Sequence, residues 1–445
     1  MDDGASVSRF ETLVADALVH HKVGRLGEAE TAYRAALGIA PGHPAVTQNL
    51  GVLVAAKGDH AAALACFDAV LAAEPAYASA HYNRGVALQS LGRPREATTA
   101  FAKTCALEPE HYDSHRALGF LLLAQGDRGR SLDHFARTYE LRRGEDRSGM
   151  AATSLGSATR GKLRHDADQF RYLATRRRDG KRFEMMARAY EAVLAGFPEA
   201  ATKLDADQLE TIGEDYNTAI HISPAPEAPE GAINPLLDAG AITRGFTDGN
   251  GGAVWFDDLL TPHALAGLRR YLLESTIWHD FDHIGGFVAS YLEDGLACPL
   301  LLQIADEMRA RFPELLGRHP LSQAWAFKGL EAQAEVEAHA DDGAISLNFW
   351  VTPNEANLDP GGGGLLICRA PPPPAWRISG YDADKAEIAA FLDSHRDDTL
   401  AVPYGDNRVA LFESRLFHRS DAPRFDTDYA SHRINVTLLF GRHGT

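Results

Sequence analysis

The chain has 445 residues, 45% of them hydrophobic and 24% charged, which places it among soluble globular proteins with two or three domains and excludes a wholly disordered or fibrous chain. Its 44 Lys and Arg against 61 Asp and Glu leave a formal charge of −17, which disfavours non-specific binding to nucleic acid. No apolar run approaches the ~20 residues of a membrane span. The first residues, MDDGASVSRF, have no apolar stretch of a secretory signal, and the four cysteines (Cys66, Cys105, Cys298, Cys368) form no CxxC pair, so a cytoplasmic protein with reduced thiols is expected.

The first third repeats with one period. Pro41, Pro75 and Pro109 are 34 residues apart, as are Gly24, Gly58, Gly92 and Gly126, and Gly51, Gly85 and Gly119. An aromatic keeps the same register at Tyr33, Phe67, Phe101 and Phe135, and a small residue at Ala29, Ala63, Ala97 and Ser131. Paired helices explain the columns. The stretch from Ala78 to Leu91 predicts a helix that Gly92 ends in left-handed geometry, and Pro94 opens the next. Ala97 is small enough for two helices to approach, with Phe101 between them. These columns, with HYNRGVALQSLGRPREATTAFAKTCALEPEH, resemble the tetratricopeptide repeat over residues 9–145. The resemblance implies an all-α superhelix whose concave face binds a protein or peptide. An array used for self-association is the plainer alternative.

Residues 146–235 break the period. Residues 160–182 hold nine Arg and Lys against three Asp, a solvated face expected to meet acidic groups of the same protein. Phe183, Met186, Tyr190, Val193, Leu194 and Phe197 recur at helical spacing, ending at Pro198. SPAPEAPEGAINP (223–235) reads as a connector. The expected domains are therefore 1–145, 146–235 and 236–445.

In the last of these, AVWFDDLLTPHALAGLRRYLLES predicts a strand, a turn and a helix starting near Thr261-Pro262. The short runs SQAWAFKGL, AISLNFWVTP, GGGGLLICRAP, NRVALFES and RINVTLLFG then indicate an all-β sandwich or barrel. His339 and Asp341, in EAHADDG, are two apart and project to one side of an extended segment. His418 follows the strand RVALFES. Two histidines and one carboxylate can form a facial triad on Fe(II), leaving open positions. Asp342 points to the opposite face from Asp341. Alternation puts Arg433, Asn435 and Thr437 on one strand face, where an arginine fork and a hydroxyl suit a buried carboxylate.

The order HxD, strand, Gly-rich turn, distal His and Arg-led strand resembles the 2-oxoglutarate- and Fe(II)-dependent dioxygenases, the prolyl-hydroxylase-like branch above all, over residues 250–445. The resemblance implies a double-stranded β-helix (jelly-roll) with flanking helices. In it His339, Asp341 and His418 would ligate iron, and Arg433, supported by Thr437, would hold the distal carboxylate of 2-oxoglutarate, with O2 as co-substrate. Arg424 is a rival for Arg433, and Trp325, Lys328 and Asn348 are further candidates for the cosubstrate pocket. Gly361–Gly364 match the family's glycine-led strand. The 78 residues between His339 and His418 hold an insertion with a predicted helix over Asp382–His395. Together the two halves imply a hydroxylase acting on a protein or peptide side chain recruited by the repeats. A small-molecule oxygenase that uses its repeats for assembly, and a non-catalytic repeat scaffold, are the alternatives.

Overall fold

A computed structural model describes residues 3–144, 157–198, 201–213, 215–248, 251–281, 286–330, 336–373, 376 and 385–442. The chain divides into two compact units, 1–122 and 123–445.

The first unit holds α1 (Asp3–Lys22), α2 (Leu26–Ile39), α3 (Pro44–Ala56), α4 (His60–Ala73), α5 (Ala78–Ser90), α6 (Pro94–Leu107) and most of α7 (Tyr112–Ala124). α1 packs on α2, α3 on α4 and α5 on α6, and successive pairs stack through α2 with α3 and α4 with α5. The periodic residues do the expected work. Gly24, Gly58 and Gly92 take φ of +76°, +86° and +69°, the left-handed geometry that ends a helix without a Cβ clash. The second glycine column answers a different need. A Cβ on Gly51 would stand 2.6 Å from Phe67, and one on Gly85 2.7 Å from Phe101. Glycine on one helix and the aromatic on its partner therefore form one packing device. Tyr33, Phe67 and Phe101 are buried in a common core with Ala29, Ala63 and Ala97.

The second unit begins with α8 (Arg128–Arg143), whose side chains engage this unit. Arg143 makes a buried fork to Asp294, with Nε and Nη2 at 2.9 and 2.8 Å from the two carboxylate oxygens. The Tyr139 hydroxyl donates to the Thr276 carbonyl at 2.9 Å. Then follow β1 (Ser157–Ala158), α9 (Arg160–Ala174), α10 (Gly180–Ala195), β2 (Thr202–Lys203), α11 (Ala206–Ile212) and α12 (Ala239–Thr247). α9 and α10 enclose their own core of Leu163, Phe170, Phe183 and Tyr190. Several residues of the basic stretch pair inside this unit. Lys162 pairs with Asp166, Arg171 with Glu184 and Glu191, and Arg182 with Asp215.

The strands come next: β3 (Ala253–Phe256), α13 (Pro262–Glu274), β4 (Phe287–Tyr291), α14 (Pro299–Arg311), α15 (Pro313–Leu316), β5 (Leu321–Gly329), β6 (Ile345–Trp350), β7 (Leu365–Cys368), α16 (Lys385–Ser394), β8 (Thr399–Val402), β9 (Val409–Glu413), β10 (His418–Ser420) and β11 (Ile434–Phe440). Thr261 caps α13 by accepting from Ala264 N–H, with Pro262 in the first turn, as the sequence signal requires. α16 covers most of the helix predicted in the insertion; its predicted start at Asp382 lies outside the described residues. Six strands form an antiparallel sheet in the order β3-β9-β6-β11-β5-β4, and three form a second in the order β10-β7-β8. The chain passes repeatedly between them: β6 large, β7 and β8 small, β9 large, β10 small, β11 large. A core of Trp350, Leu365, Ile367, Val402, Phe412 and Phe425 joins residues of both sheets.

The glycine–aromatic device predicts a specific cost. Gly85→Ala should destabilise the chain by about 1–3 kcal/mol through overpacking against buried Phe101, although alanine adds about 1 kcal/mol of helix propensity. Urea unfolding measures it, and an unchanged or higher midpoint would refute the account.

Candidate metal centre

His339 and His418 meet through a two-residue antiparallel bridge. His339 N–H donates to His418 O at 3.0 Å, and His418 N–H donates to His339 O at 2.9 Å. Directly opposed residues of such a pair share a face, and the two imidazoles lie 4.3 Å apart between ring centres. Asp341, two residues on, projects to the same side, and its N–H donates to Ser414 O at 2.8 Å. Nε2 of each histidine is 3.7 Å from an Asp341 oxygen, Oδ1 for His339 and Oδ2 for His418. One ligand atom from each of the three residues lies within 4.8 Å of the other two.

The surroundings fix which atoms face inward. His339 Nδ1 bonds Glu337 O at 2.8 Å and His418 Nδ1 bonds Leu416 O at 3.0 Å. A carbonyl accepts only, so each Nδ1 carries the proton and each Nε2 keeps a lone pair for a metal. Burial, with His339 beside it, pushes His418 down to about 4, so it is neutral at pH 7. Ser346 Oγ donates to Asp341 Oδ2 at 2.7 Å and shares a second hydrogen bond with Ser414 Oγ at 2.9 Å, orienting the carboxylate. Asp342 is exposed. The donor set of two imidazole nitrogens and a carboxylate oxygen suits a first-row divalent metal with open positions.

His339, His418 and Arg433 line one cavity, together with Trp325, Phe327, Asn348, Asn435 and Thr437. These residues come from adjacent strands in register. Trp325 opposes Thr437, which opposes Asn348, and Phe327 opposes Asn435. Asn348 Nδ2 donates to Thr437 Oγ1 at 2.9 Å. Arg433 is buried. Its Nε donates to Gly363 O at 2.8 Å, Nη2 to Gly364 O at 3.3 Å and Nη1 to Asn435 Oδ1 at 3.3 Å. Burial lowers it to about 10, so it stays charged at pH 7. Among the described residues no Asp or Glu pairs with it, so the guanidinium is a cation without a carboxylate. Gly363 and Gly364 thus supply the carbonyls that hold the arginine. A Cβ on Gly364 would stand 1.9 Å from Val402 O, so only glycine fits.

The sequence candidates therefore separate. His339, Asp341 and His418 cluster, and Arg433, Asn435, Thr437, Asn348 and Trp325 line the cavity. Arg424 is exposed. Lys328 lies on the other face of the large sheet: it is one residue from Phe327, and Phe327 faces the cavity. Its amine is buried over the Tyr429 ring, 3.0 Å from the centroid, with no hydrogen-bond partner among the described residues. Ser346, Ser414 and Phe327 were not singled out in the sequence. Ser346 carried a signal, since it is two residues from Asn348 and shares its face.

The comparisons with known proteins bear on the repeats. The tetratricopeptide-repeat family model matches residues 49–93. No curated protein matches. Among solved structures, MamA 41-end from Desulfovibrio magneticus RS-1 is 28% identical over 31% of this chain and 77% of its own, with a TM-score of 0.30. A Thermobaculum terrenum O-GlcNAc transferase mutant is 25% identical over 31% of this chain and 28% of its own, with a TM-score of 0.28. The first TPR of Spaghetti (RPAP3), bound to an HSP90 peptide, is 21% identical over 27% of this chain and 94% of its own, with a TM-score of 0.26. The N-terminal part of the chain is thus a tetratricopeptide-like helical array, followed by a sheet-rich region. Among the described residues no helix is long and apolar enough to cross a membrane.

The position of Lys328 gives a prediction about stability. Burial lowers its amine well below the usual lysine range, against the opposing pull of Asp168 and Asp428, so the folded state holds this proton less firmly than the unfolded one. The unfolded state then binds more protons, and this residue's penalty shrinks as pH rises. Lys328→Met should raise the urea midpoint at pH 7, by roughly 1–3 kcal/mol of stability, with the gap to wild type narrowing towards pH 10. A less stable variant with a pH-independent gap would show instead that the Tyr429 ring holds a charged lysine.

Proposed function

We propose that the second unit is an Fe(II)- and 2-oxoglutarate-dependent dioxygenase with a double-stranded β-helix core, hydroxylating a protein or peptide side chain that the repeat array recruits. One observation carries the reading: two histidines of a three-residue donor cluster, His339 and His418, line the same cavity as a buried arginine that has no carboxylate partner among the described residues. The strand path supports it. Counting the His339 bridge as a strand beside β10, the chain from β5 to β11 fills two four-stranded layers, β5-β11-β6-β9 and His339-β10-β7-β8. A jelly-roll core would wind in this way.

In this reading His339 and His418 hold iron through Nε2 and Asp341 through a carboxylate oxygen. Their Nδ1 and Ser346 contacts keep the three side chains aimed at one point. Arg433 takes the distal carboxylate of 2-oxoglutarate, and the Asn348–Thr437 pair offers polar groups along the same wall. Trp325 and Phe327 provide the apolar side that keeps water from the cosubstrate. When bound, iron with 2-oxoglutarate and O2 supplies oxidation of a C–H bond coupled to release of succinate and CO2. The repeats' contribution is recruitment: tetratricopeptide arrays present a concave face suited to an extended peptide.

The test is an anaerobic titration of the full chain with Fe(II) and 2-oxoglutarate, following the visible metal-to-ligand charge-transfer band. Wild type should develop the band and His339→Ala should not. Arg433→Ala should need about 10–100-fold more 2-oxoglutarate, the loss of a charge-assisted hydrogen-bonded pair. Folded wild-type protein that gives no band would refute the oxygenase reading.

A further inference from the structure

The alternation that turns the metal donors inward turns their chain neighbours outward. Ala338 and Ala340 flank His339, and Phe417 precedes His418. These three pack in a core of their own, with Cys368 of β7 and with Ile388, Phe391 and Leu392 of α16. That core is distinct from the one between the sheets, which takes Leu365 and Ile367 of the same strand. The helix of the insertion therefore lies behind the donors, on the outer face of the small sheet. None of its residues is among those that line the cavity of His339, His418 and Arg433.

Aromatic rings make the contact. Trp376, Phe391 and Phe417 meet pairwise, with centroids 5.5 Å apart for Trp376 and Phe391, 5.8 Å for Trp376 and Phe417, and 5.9 Å for Phe391 and Phe417. Alanine at 338 and 340 is small enough for this cluster to approach the backbone that carries His339 and Asp341. A second tie runs from the start of the helix, where Lys385 Nζ pairs with Glu337 Oε2 at 2.8 Å. The Glu337 carbonyl in turn accepts from His339 Nδ1. Both side chains of that ion pair are well exposed, so the rings contribute more to holding the helix in place than the charges do.

The donor segment has need of such support. It bridges β10, which is the outermost strand in the order β10-β7-β8. Its backbone bonds to β10 are those of the His339–His418 bridge and one from Ser420 N–H to Val336 O at 3.1 Å. So short a pairing opens locally at little cost, whereas a metal centre needs its donors within about 0.5 Å of one geometry. We infer that Phe391, with Trp376 and Phe417, is a positioning residue for the metal donors. α16 bears on the outer side of Ala338 and Ala340 and so fixes the inner side, where His339 and Asp341 converge with His418. The inference rests on the metal-centre reading and adds the insertion to it as a brace.

The probe is cobalt(II), which follows iron in the divalent series and whose visible absorption reports the number and arrangement of its donors. It is titrated into the metal-free, full-length protein without 2-oxoglutarate. Phe391→Ala should bind cobalt about 10–100-fold more weakly than wild type, the range seen when support behind metal ligands is removed, and with an altered absorption spectrum. Phe391→Leu, which keeps a bulky apolar side chain, should recover most of the affinity. Ala340→Leu should push the segment off the rings and weaken cobalt in the same direction, which supplies a second arm if Phe391→Ala does not fold. Phe170→Leu trims a ring in the separate core of α9 and α10, and should lower the melting temperature while leaving cobalt binding as in wild type. Thermal melts of the metal-free proteins establish that each variant is folded. Wild-type affinity and spectrum in the folded Phe391 and Ala340 variants would overturn the inference. So would equal weakening in Phe170→Leu, since affinity would then follow general stability. The two readings fail separately. Wild type that binds cobalt while the variants match it removes only the brace, and wild type that binds none removes the metal centre and the brace with it.

Discussion

The geometry of the candidate site rests on two hydrogen bonds, those that join the backbones of His339 and His418. The two residues are 79 apart in the chain, and nothing local brings them together. The bridge makes them directly opposed neighbours, which places both imidazoles on one face and Asp341, two residues on, beside them. A slip of one residue would turn His418 to the far side of the small sheet and leave Arg419 in its place. The register is held from outside the bridge. β10 pairs residue for residue with β7, His418 against Ile367, and Ile367 is buried in the core between the sheets. A hydrophobic position on β7 thus fixes where a histidine on β10 can point.

The same small sheet also holds the arginine of this cavity. The chain leading into β7 gives its Gly363 and Gly364 carbonyls to Arg433. Two carbonyls and an amide oxygen take three of the guanidinium's five N–H donors without neutralising it. That arrangement is costly for a protein with nothing to bind there, because a buried unpaired charge is destabilising. It is economical where an anion arrives and completes the set. One strand and its approach therefore set both the metal donors and the cation, which keeps the two in fixed relation.

How much of this was legible in the sequence depends on what fixes each element. The repeats were legible because every unit solves the same local problem, so Gly85 and Phe101 recur with Gly51 and Phe67. β5, β6, β9 and β11 were legible as apolar runs. β4, β8 and β10 were not, since β10 is three residues long and exists only through its pairing with β7. The metal donors were visible as spacing, but that they meet depends on the bridge, which no short stretch encodes. The Arg143–Asp294 fork, 151 residues apart, left no local mark either, so α8 reads as the end of the repeats while its charged side chains serve the second unit. Lys328 is a different case. It was a candidate beside Trp325, yet residues three apart on a strand face opposite ways, and that parity alone separates them.

The contrast between the two buried cations on this sheet sharpens the reading of the site. Lys328 and Arg433 are close in sheet position, since Lys328 opposes Ile434, but they occupy opposite faces. Burial favours loss of the lysine's proton, and its amine lies over the Tyr429 ring with Asp168 and Asp428 acting on it electrostatically. It belongs to the structure of the back face. An arginine has no such escape at neutral pH, so the fold has to accommodate a charge, and it does so with glycine carbonyls that no larger residue would allow. A cation that cannot be discharged, lining the same cavity as His339 and His418, favours an anionic ligand there. Under the proposed reading a dicarboxylate would engage the metal with one carboxylate and the arginine with the other, whereas a monocarboxylate would serve only one of them.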